Sequence, residues 1–186
     1  MKAAQSSLAL VLLCLLRVQA ELPVQPGFDP EKFAGTWHIV AAVSDCPVFL
    51  SMKDKMKSST SIFSFLPDGN MAMKAIFPVA DECKKVEMHL QQKGQVGHYI
   101  TTGEEGKRDL RVIETDYEHY AIVSSAAESD KKSSTTLQLY MRGHDVSPQL
   151  LKKFKELYPT VGLTDDMLAI MPKSGEWQHG QQRDRT

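Results

Sequence analysis

Short strand-like runs recur along this chain at a regular spacing, and that spacing most constrains how it can fold. The runs alternate apolar with polar residues, the period of a half-buried β-strand, and return about every 10 to 15 residues. Turn sequences such as Pro67-Asp68-Gly69-Asn70 separate them. The predicted strands are Thr36–Val43, Ser58–Leu66, Met71–Phe77, Cys83–Gln92, His98–Thr102, Leu110–Glu114, Tyr120–Ser124 and Thr135–Arg142. This pattern predicts an all-β antiparallel barrel or sandwich.

The periodicity changes after the eighth strand. Ser147-Pro148 supplies an N-cap and a proline at the first helical position, and apolar residues then recur at helical spacing as far as Pro159. One amphipathic helix of about three turns must pack on the outside of the sheet to bury its apolar stripe. Met167–Met171 follows as a short last strand. This order fits an eight-stranded up-and-down barrel, which closes its own edges and can hold a small ligand.

The first 20 residues have the pattern of a secretory signal peptide. Lys2 precedes an apolar block, Leu8–Leu16, and Val18-Gln19-Ala20 supplies a small-residue cleavage site. The block is well short of the ~20 residues that cross a bilayer, so we expect no stable membrane insertion. We therefore expect a secreted, extracellular protein made of a signal peptide (1–20), one domain (21–172) and a flexible polar tail (173–186).

Charge and motif content exclude several functions. Without Lys2 and Arg17, the chain has 20 basic against 23 acidic residues, a formal charge of −3, so no positive field favours nucleic acid. The six histidines form no helical i,i+4 pair and no Cys-x-x-Cys accompanies them, so we expect no metal site. Phosphate-binding glycine loops and Gly-x-Ser-x-Gly turns are absent too. We expect no cofactor, and a monomer.

Three motifs, in order, resemble the marker regions of the lipocalin family. Gly35-Thr36-Trp37 begins the first strand, Thr115-Asp116-Tyr117 lies between the sixth and seventh, and Tyr140-Met141-Arg142 ends the eighth. The resemblance covers essentially the whole chain after the signal peptide and implies a lipocalin calyx, an eight-stranded antiparallel barrel with the C-terminal helix packed outside. The sequence looks most similar to the branch of extracellular fatty-acid carriers and lipocalin-type prostaglandin D synthase.

The resemblance also assigns structural roles at the base of the barrel. In the family, the arginine after the eighth strand lies on the ring of the tryptophan, which here places Arg142 on Trp37. Trp37 then plugs the closed end. The pair therefore predicts the fold and says nothing about the ligand.

Alternation along the strands, combined with the resemblance, predicts which side chains line the interior. An inward Trp37 also turns Val43 inward. A methionine stripe is commonly plain core, but the family's barrels are hollow, and methionine suits a flexible lipid tail. Arg108 either faces the cavity and pairs with a carboxylate or is a solvated loop residue. The predicted ligand-binding residues are Ile39, Ala41, Thr60, Met71, Met73, Phe77, Met88, Leu90, Tyr99, Arg108, Val112, Ile122, Gln138 and Tyr140.

The sequence favours a carrier over an enzyme. In the catalytic member of this branch, the lipocalin-type prostaglandin D synthase, a cysteine thiol on the second strand is the nucleophile. The resemblance places Thr60 at that position. A hydroxyl without a neighbouring base is a far poorer nucleophile than a thiolate. We therefore expect a secreted carrier of a small hydrophobic ligand, a fatty acid or related lipid. The alternatives are a prostaglandin D synthase-like isomerase, which Thr60 disfavours, and a siderophore-binding defence lipocalin, which needs more inward basic residues than Arg108.

Two cysteines, Cys46 and Cys83, remain after the signal peptide. Family members commonly join the fourth strand, here Cys83, to a cysteine in the C-terminal tail, but that position here is Trp177. The usual bridge is therefore excluded. An internal Cys46–Cys83 disulfide, free thiols and a bridge between two molecules all stay open.

Overall fold

Eight antiparallel strands close into a barrel, and a ninth short strand lies on its outer edge. The computed structural model describes residues 22–79, 82–103, 106–129, 132–143 and 145–172, without the side chains of 77–79, 82–84, 102–103, 129 and 132. The strands are β1 (Gly35–Ser44), β2 (Ser59–Phe65), β3 (Met71–Val79), β4 (Glu82–Gln92), β5 (His98–Gly103), β6 (Gly106–Thr115), β7 (Tyr120–Ser129), β8 (Lys132–Met141) and β9 (Leu168–Ile170). The helices are α1 (Pro30–Phe33), α2 (Pro47–Met52) and α3 (Pro148–Leu157), with 3-10 turns at Lys53–Lys55, Tyr158–Val161 and Asp165–Met167.

The barrel closes because β1 pairs with both β2 and β8. Each other strand from β2 to β8 pairs with its sequence neighbours, and β9 pairs antiparallel with the upper half of β1. The predicted barrel, helix and last strand are confirmed. The short helices α1 and α2 were not predicted. The proposed signal peptide and the tail lie outside the described residues. Within the described part of the chain, no helix has both the length and the apolar character needed to span a membrane.

Helix α3 forms where the sequence predicts it. The Ser147 hydroxyl accepts the Leu150 N–H at 3.1 Å, and Pro148 occupies the first turn. Phe154 is fully buried in an outer core that the helix shares with the outward side chains of β1, β7 and β8. Lys153 reaches Glu114 on β6, which also accepts the Tyr120 hydroxyl. The helix therefore covers one side of the barrel and gives it a second hydrophobic core.

Two β-bulges change which side chains face inward. The register shifts between Ile39 and Ala41 in the β1–β8 pairing, and between Val112 and Glu114 in the β6–β7 pairing. After the first bulge, Ala42 packs in the inner core, while Ala41 and Val43 pack in the outer core. The predictions that Ala41 and Val43 face the cavity are therefore wrong. A bulge adds one residue to a strand and so reverses the alternation beyond it.

Two further inward predictions are wrong for different reasons. Ile122 pairs with Leu139 and packs under α3 in the outer core, because the apolar run of β7 has buried residues on both faces. Thr60 faces outward, and its hydroxyl is 3.1 Å from His38 Nδ1. Its neighbours Ser59 and Ser61 occupy the inner face. A slip of one residue exchanges the two faces of a strand, and this is what happened at Thr60.

Candidate ligand-binding site

The base of the barrel is a stack of aromatic rings around Trp37. Phe33 of α1 lies on the Trp37 ring with centroids 5.1 Å apart, and Phe63 meets Phe33 at 5.2 Å. Tyr140 then packs edge-on against Phe63 at 5.7 Å. The Trp37 indole N–H donates to the Phe33 carbonyl at 2.8 Å, which satisfies the one polar group of a fully buried ring. The barrel is therefore closed at this end by side chains.

Arg142 covers the Trp37 ring from below, as predicted. Its guanidinium carbon lies 3.9 Å from the ring centroid. Its N–H groups donate to five backbone carbonyls, those of Lys32, Phe33, Ala34, Thr36 and Tyr117, at 2.9 to 3.2 Å. The first three carbonyls belong to the C-terminal end of α1, where a cation is favoured. One side chain thus joins the N-terminal arm, β1 and the β6–β7 turn.

Gly35 is required beside this arginine. Its backbone has φ +104°, a conformation that side-chain-bearing residues rarely adopt, and a Cβ atom there would lie 3.1 Å from Arg142 Nη1. The Gly-x-Trp motif therefore has a direct steric explanation, since the glycine lets the chain turn into β1 without displacing the guanidinium.

The turn Thr115-Asp116-Tyr117 holds the same end of the barrel. Tyr117 has φ 67°, its hydroxyl accepts the Asp29 N–H, and its carbonyl accepts from Arg142. Asp116 accepts the backbone N–H groups of His119 and Tyr120. Burial acts to raise the pKa of Asp116, but these hydrogen bonds and the His119 ring outweigh it and lower the pKa. The motif therefore stabilises the base of the barrel, where the Tyr117 ring packs against the inner core.

The exposure of inward side chains shows a cup that opens away from Trp37. Along β4, exposure rises from 2% at Leu90, through half-buried Met88, to 41% at Val86 in the middle of the strand, where β4 does not pair with β5. Along the inner faces of β5 and β6, it rises from 0% at Tyr99 and 5% at Leu110 to half-buried Arg108. Solvent therefore reaches the inner wall on this side of the upper barrel, while the base is filled.

The structure places most of the predicted lining residues on the inner face. Arg108 pairs with Thr101 and Ala127 in register with inward Leu110, which supports the cavity-facing interpretation. Phe77 has an inward register position, but its side chain is not described. Contact with a ligand stays a prediction for the whole set. The predicted residues found on the inner face are Ile39, Met71, Met73, Met88, Leu90, Tyr99, Arg108, Val112, Gln138 and Tyr140.

A polar group interrupts the apolar inner wall next to the aromatic base. The Tyr140 hydroxyl donates to Gln138 Oε1 at 3.0 Å. Burial raises the pKa of Tyr140 to about 12, although the nearby Ser61 hydroxyl acts to lower it, so the phenol stays protonated at neutral pH. The Tyr99 hydroxyl is also buried without a hydrogen-bond partner, close to the Gly97 backbone. The inner wall is therefore mainly apolar, with uncharged polar groups at Tyr140, Gln138 and Tyr99.

The segment after β1 lies over the open end. Phe49 of α2 and Met56 pack against the inner core from the mouth. Ser44 Oγ lies 2.7 Å from the Thr136 hydroxyl and accepts the Cys46 N–H at 3.1 Å, which fixes where the segment leaves the barrel. Cys46 is half-buried and its thiol is free, so the structure does not show the Cys46–Cys83 disulfide that the sequence left open.

Residue-by-residue reasoning missed the serines of the inner wall. Ser44, Ser59 and Ser61 are all buried and face inward. The signal for β2 was available, because inward Phe63 and Phe65 share their alternation with Ser59 and Ser61. Among the described residues, no group of three or more metal-ligating side chains is present.

Comparisons with known proteins agree with this architecture. The model of the lipocalin / cytosolic fatty-acid binding protein family matches residues 34–175. Human Lipocalin-15 is 40% identical over 165 residues, which cover 89% of each chain. The extracellular fatty acid-binding protein of Coturnix japonica is 33% identical over 170 residues, 91% of this chain and 93% of the relative. Prostaglandin-H2 D-isomerase of Equus caballus is 30% identical over 178 residues, 90% of this chain and 92% of the relative.

A solved structure shows the same fold. It is described as "The Siderocalin Ex-FABP functions through dual ligand specificities" and superposes with a TM-score of 0.70 at 29% sequence identity. The match covers 78% of this chain and 97% of that one. With the family model spanning the whole barrel and the Trp37–Arg142 pair in place, this chain belongs to the lipocalin / cytosolic fatty-acid binding protein family.

Proposed function

We propose that this protein carries a fatty acid or a closely related small lipid inside its barrel. The observation that carries the proposal is the exposure gradient on the inner wall, from fully buried rings at the base to half-buried Arg108 near the start of β6 and an exposed Val86 in the middle of β4. Flexible methionines, Met73 and Met88, face each other across β3 and β4 on this wall. A narrow apolar cup that opens at one end suits a single acyl chain. The resemblance to an extracellular fatty acid-binding protein supports the same ligand class.

The expected affinity follows from the buried chain. Transfer of one CH2 group out of water contributes about 0.8 kcal/mol, so a chain of about 15 such groups contributes on the order of 12 kcal/mol. Lost translational freedom and the ordering of the chain offset roughly 4 kcal/mol or more of this. The remainder is at most about 8 kcal/mol, which corresponds to dissociation constants of about a micromolar or weaker.

A large side chain placed in the interior of the barrel should weaken lipid binding. Ala75 faces inward beside Ser61 and is half-buried, so Ala75→Trp places an indole in the space that an acyl chain needs. We expect hexadecanoic acid to bind at least about tenfold more weakly, measured by displacement of a fluorescent probe. Lys74→Trp is the matched control, because Lys74 is the next residue on β3 and faces solvent. Equal binding by both variants would contradict the proposal, as would failure of the unmodified protein to bind any long-chain lipid.

Arg108 should hold the carboxylate of the ligand. Its half-buried position on the inner face favours a charge-assisted hydrogen bond. Arg108→Gln should therefore lower the affinity for hexadecanoic acid by about fivefold to tenfold and leave the affinity for hexadecanol unchanged. Arg111→Gln serves as the control, since Arg111 lies on the outer face and donates to Asp109 at 2.9 Å. An equal loss for the acid and the alcohol would show that Arg108 does not contact the headgroup.

We further propose that the protein is a carrier and not an isomerase, although several of its relatives are named as isomerases. The inner face of β2 offers the hydroxyls of Ser59 and Ser61, and no cysteine occurs between residues 47 and 82. A serine without an adjacent base is a weak nucleophile. Turnover of a prostanoid endoperoxide by the purified protein would refute this part of the proposal.

A further inference from the structure

The Ser61 hydroxyl is buried on the inner wall without a hydrogen-bond partner. Ser61 is 1% exposed and lies opposite Trp37 on β1 and Ala75 on β3. Buried polar groups in folded proteins almost always have a partner, and one that lacks a protein partner points to a missing one. An inward hydroxyl at the foot of the inner wall is placed to receive that partner from a ligand that reaches down from the open end.

Ser61 is part of a small neutral group next to the aromatic base. Its hydroxyl neighbours the Tyr140 phenol without forming a hydrogen bond of normal geometry, and Tyr140 donates instead to Gln138 Oε1 at 3.0 Å. The other end of the Gln138 amide, Nε2, has no partner among the described residues. Two donors, the Ser61 O–H and the Gln138 N–H2, therefore remain for a ligand on the wall above Phe63 and Trp37.

The chemistry of this group selects a neutral oxygen. Ser61, Tyr140 and Gln138 carry no charge, so they cannot compensate a buried carboxylate, which is costly without a cation. A hydroxyl or carbonyl oxygen needs only the donors that Ser61 and Gln138 supply. The carboxylate is better placed at Arg108, two residues into β6 from the open end. The two sites therefore recognise opposite ends of one chain.

We propose that the ligand is an oxygenated fatty acid, with a hydroxyl or oxo group in the distal half of its chain that binds Ser61 and Gln138. This inference rests on the proposed lipid carriage and narrows its ligand class. A plain saturated chain leaves the Ser61 hydroxyl unpaired, whereas a distal oxygen satisfies it. The protein thus distinguishes one fatty acid from another by the oxygen on its chain as well as by the length of the apolar chain.

The test compares four acids of equal chain length on the full-length secreted protein. They are hexadecanoic acid and its 2-hydroxy, 12-hydroxy and 16-hydroxy derivatives, with binding measured by displacement of one fluorescent probe. At least one distal hydroxy acid should bind about fivefold more tightly than hexadecanoic acid, the change expected for one net hydrogen bond. The 2-hydroxy acid, whose oxygen stays at the mouth, should show no such gain.

Variants of two neighbouring serines test whether Ser61 causes the tighter binding of the distal hydroxy acids. Ser61→Ala should remove the preference for the distal hydroxyl while hexadecanoic acid binds as before. Ser59→Ala should keep the preference, because Ser59 faces inward on the same strand but its hydroxyl already donates to the Lys57 carbonyl at 3.5 Å. Gln138→Met, which removes the second donor, should also reduce the preference.

The outcomes separate the two proposals. Equal affinity of the unmodified protein for all four acids overturns the oxygen site and leaves lipid carriage standing. A preference that survives Ser61→Ala, or disappears with Ser59→Ala, overturns the assignment to Ser61. Failure to bind any of the four acids overturns lipid carriage itself.

Discussion

Replacing Arg142 with alanine should lower the free energy of unfolding by about 3 kcal/mol or more, the largest loss we expect from a single polar side chain. The substitution removes a cation from the Trp37 ring at 3.9 Å and leaves five backbone carbonyls without their shared donor. Hydrogen bonds to a charged donor contribute about 1.5 to 3 kcal/mol each, but bonds that share one guanidinium do not add fully. Urea unfolding, followed by circular dichroism, measures the change.

Two variants make the Arg142 prediction specific. Arg142→Lys keeps the positive charge but loses the planar fork, so it should fall between the alanine variant and the unmodified protein. Lys152→Ala removes an exposed cation whose nearest acidic partner is Glu156 at 3.8 Å, and should change the stability by less than about 0.5 kcal/mol. An Arg142→Ala variant as stable as Lys152→Ala would show that the stack at the base is not needed for stability.

Replacing Phe154 with alanine should lower the free energy of unfolding by about 3 to 5 kcal/mol. Phe154 is 0% exposed, and its ring packs edge-on against Tyr158 at 5.7 Å within the outer core. Truncation leaves a cavity between α3 and the barrel wall that neighbouring side chains fill only in part. The same denaturant experiment measures the loss.

Phe154→Ala should leave ligand affinity nearly unchanged, because the outer core lies on the far side of the wall from the cup. Lys155→Ala, the next residue and exposed, controls for the change in helix sequence and should cost less than about 0.5 kcal/mol. A large loss of hexadecanoic acid binding in a Phe154→Ala protein that is still folded would contradict the separation of the two cores.

Much of the fold could be predicted from local pattern. The strand spacing, the turn at Asp68-Gly69 and the capped start of α3 at Ser147 each follow from short-range chemistry, and each appears where expected. Arg142 and Trp37 are 105 positions apart, and their contact came from the resemblance and not from spacing. The inward methionines Met71 and Met73 were also placed correctly, since β3 has no bulge within its pairing with β4.

The wrong inward predictions all fall where the sequence does not distinguish the two faces of a strand. The alternation of apolar and polar residues identifies the buried face of a strand only when the other face of that strand meets water. At Ala41, Val43 and Ile122 both faces are buried, one by the interior and one by α3, so the sequence reads as a continuous apolar run. At Thr60 the neighbouring residues are all hydroxylated, so polarity cannot distinguish the two faces either. Only the observed register resolves these positions.

The sequence by itself determined the architecture: a barrel of antiparallel strands, an outer helix and a base closed by Trp37 and Arg142. Local propensities and turn residues act over a few residues and determine the elements, while the order of the motifs gave the Trp37–Arg142 contact through the resemblance to the family. The tertiary structure alone decided the faces of Ala41, Val43 and Ile122, because the bulge after Ile39 and the packing of Phe154 on the barrel put them in the outer core. The meeting of Ser61, Tyr140 and Gln138 from two strands is therefore a property of the closed barrel.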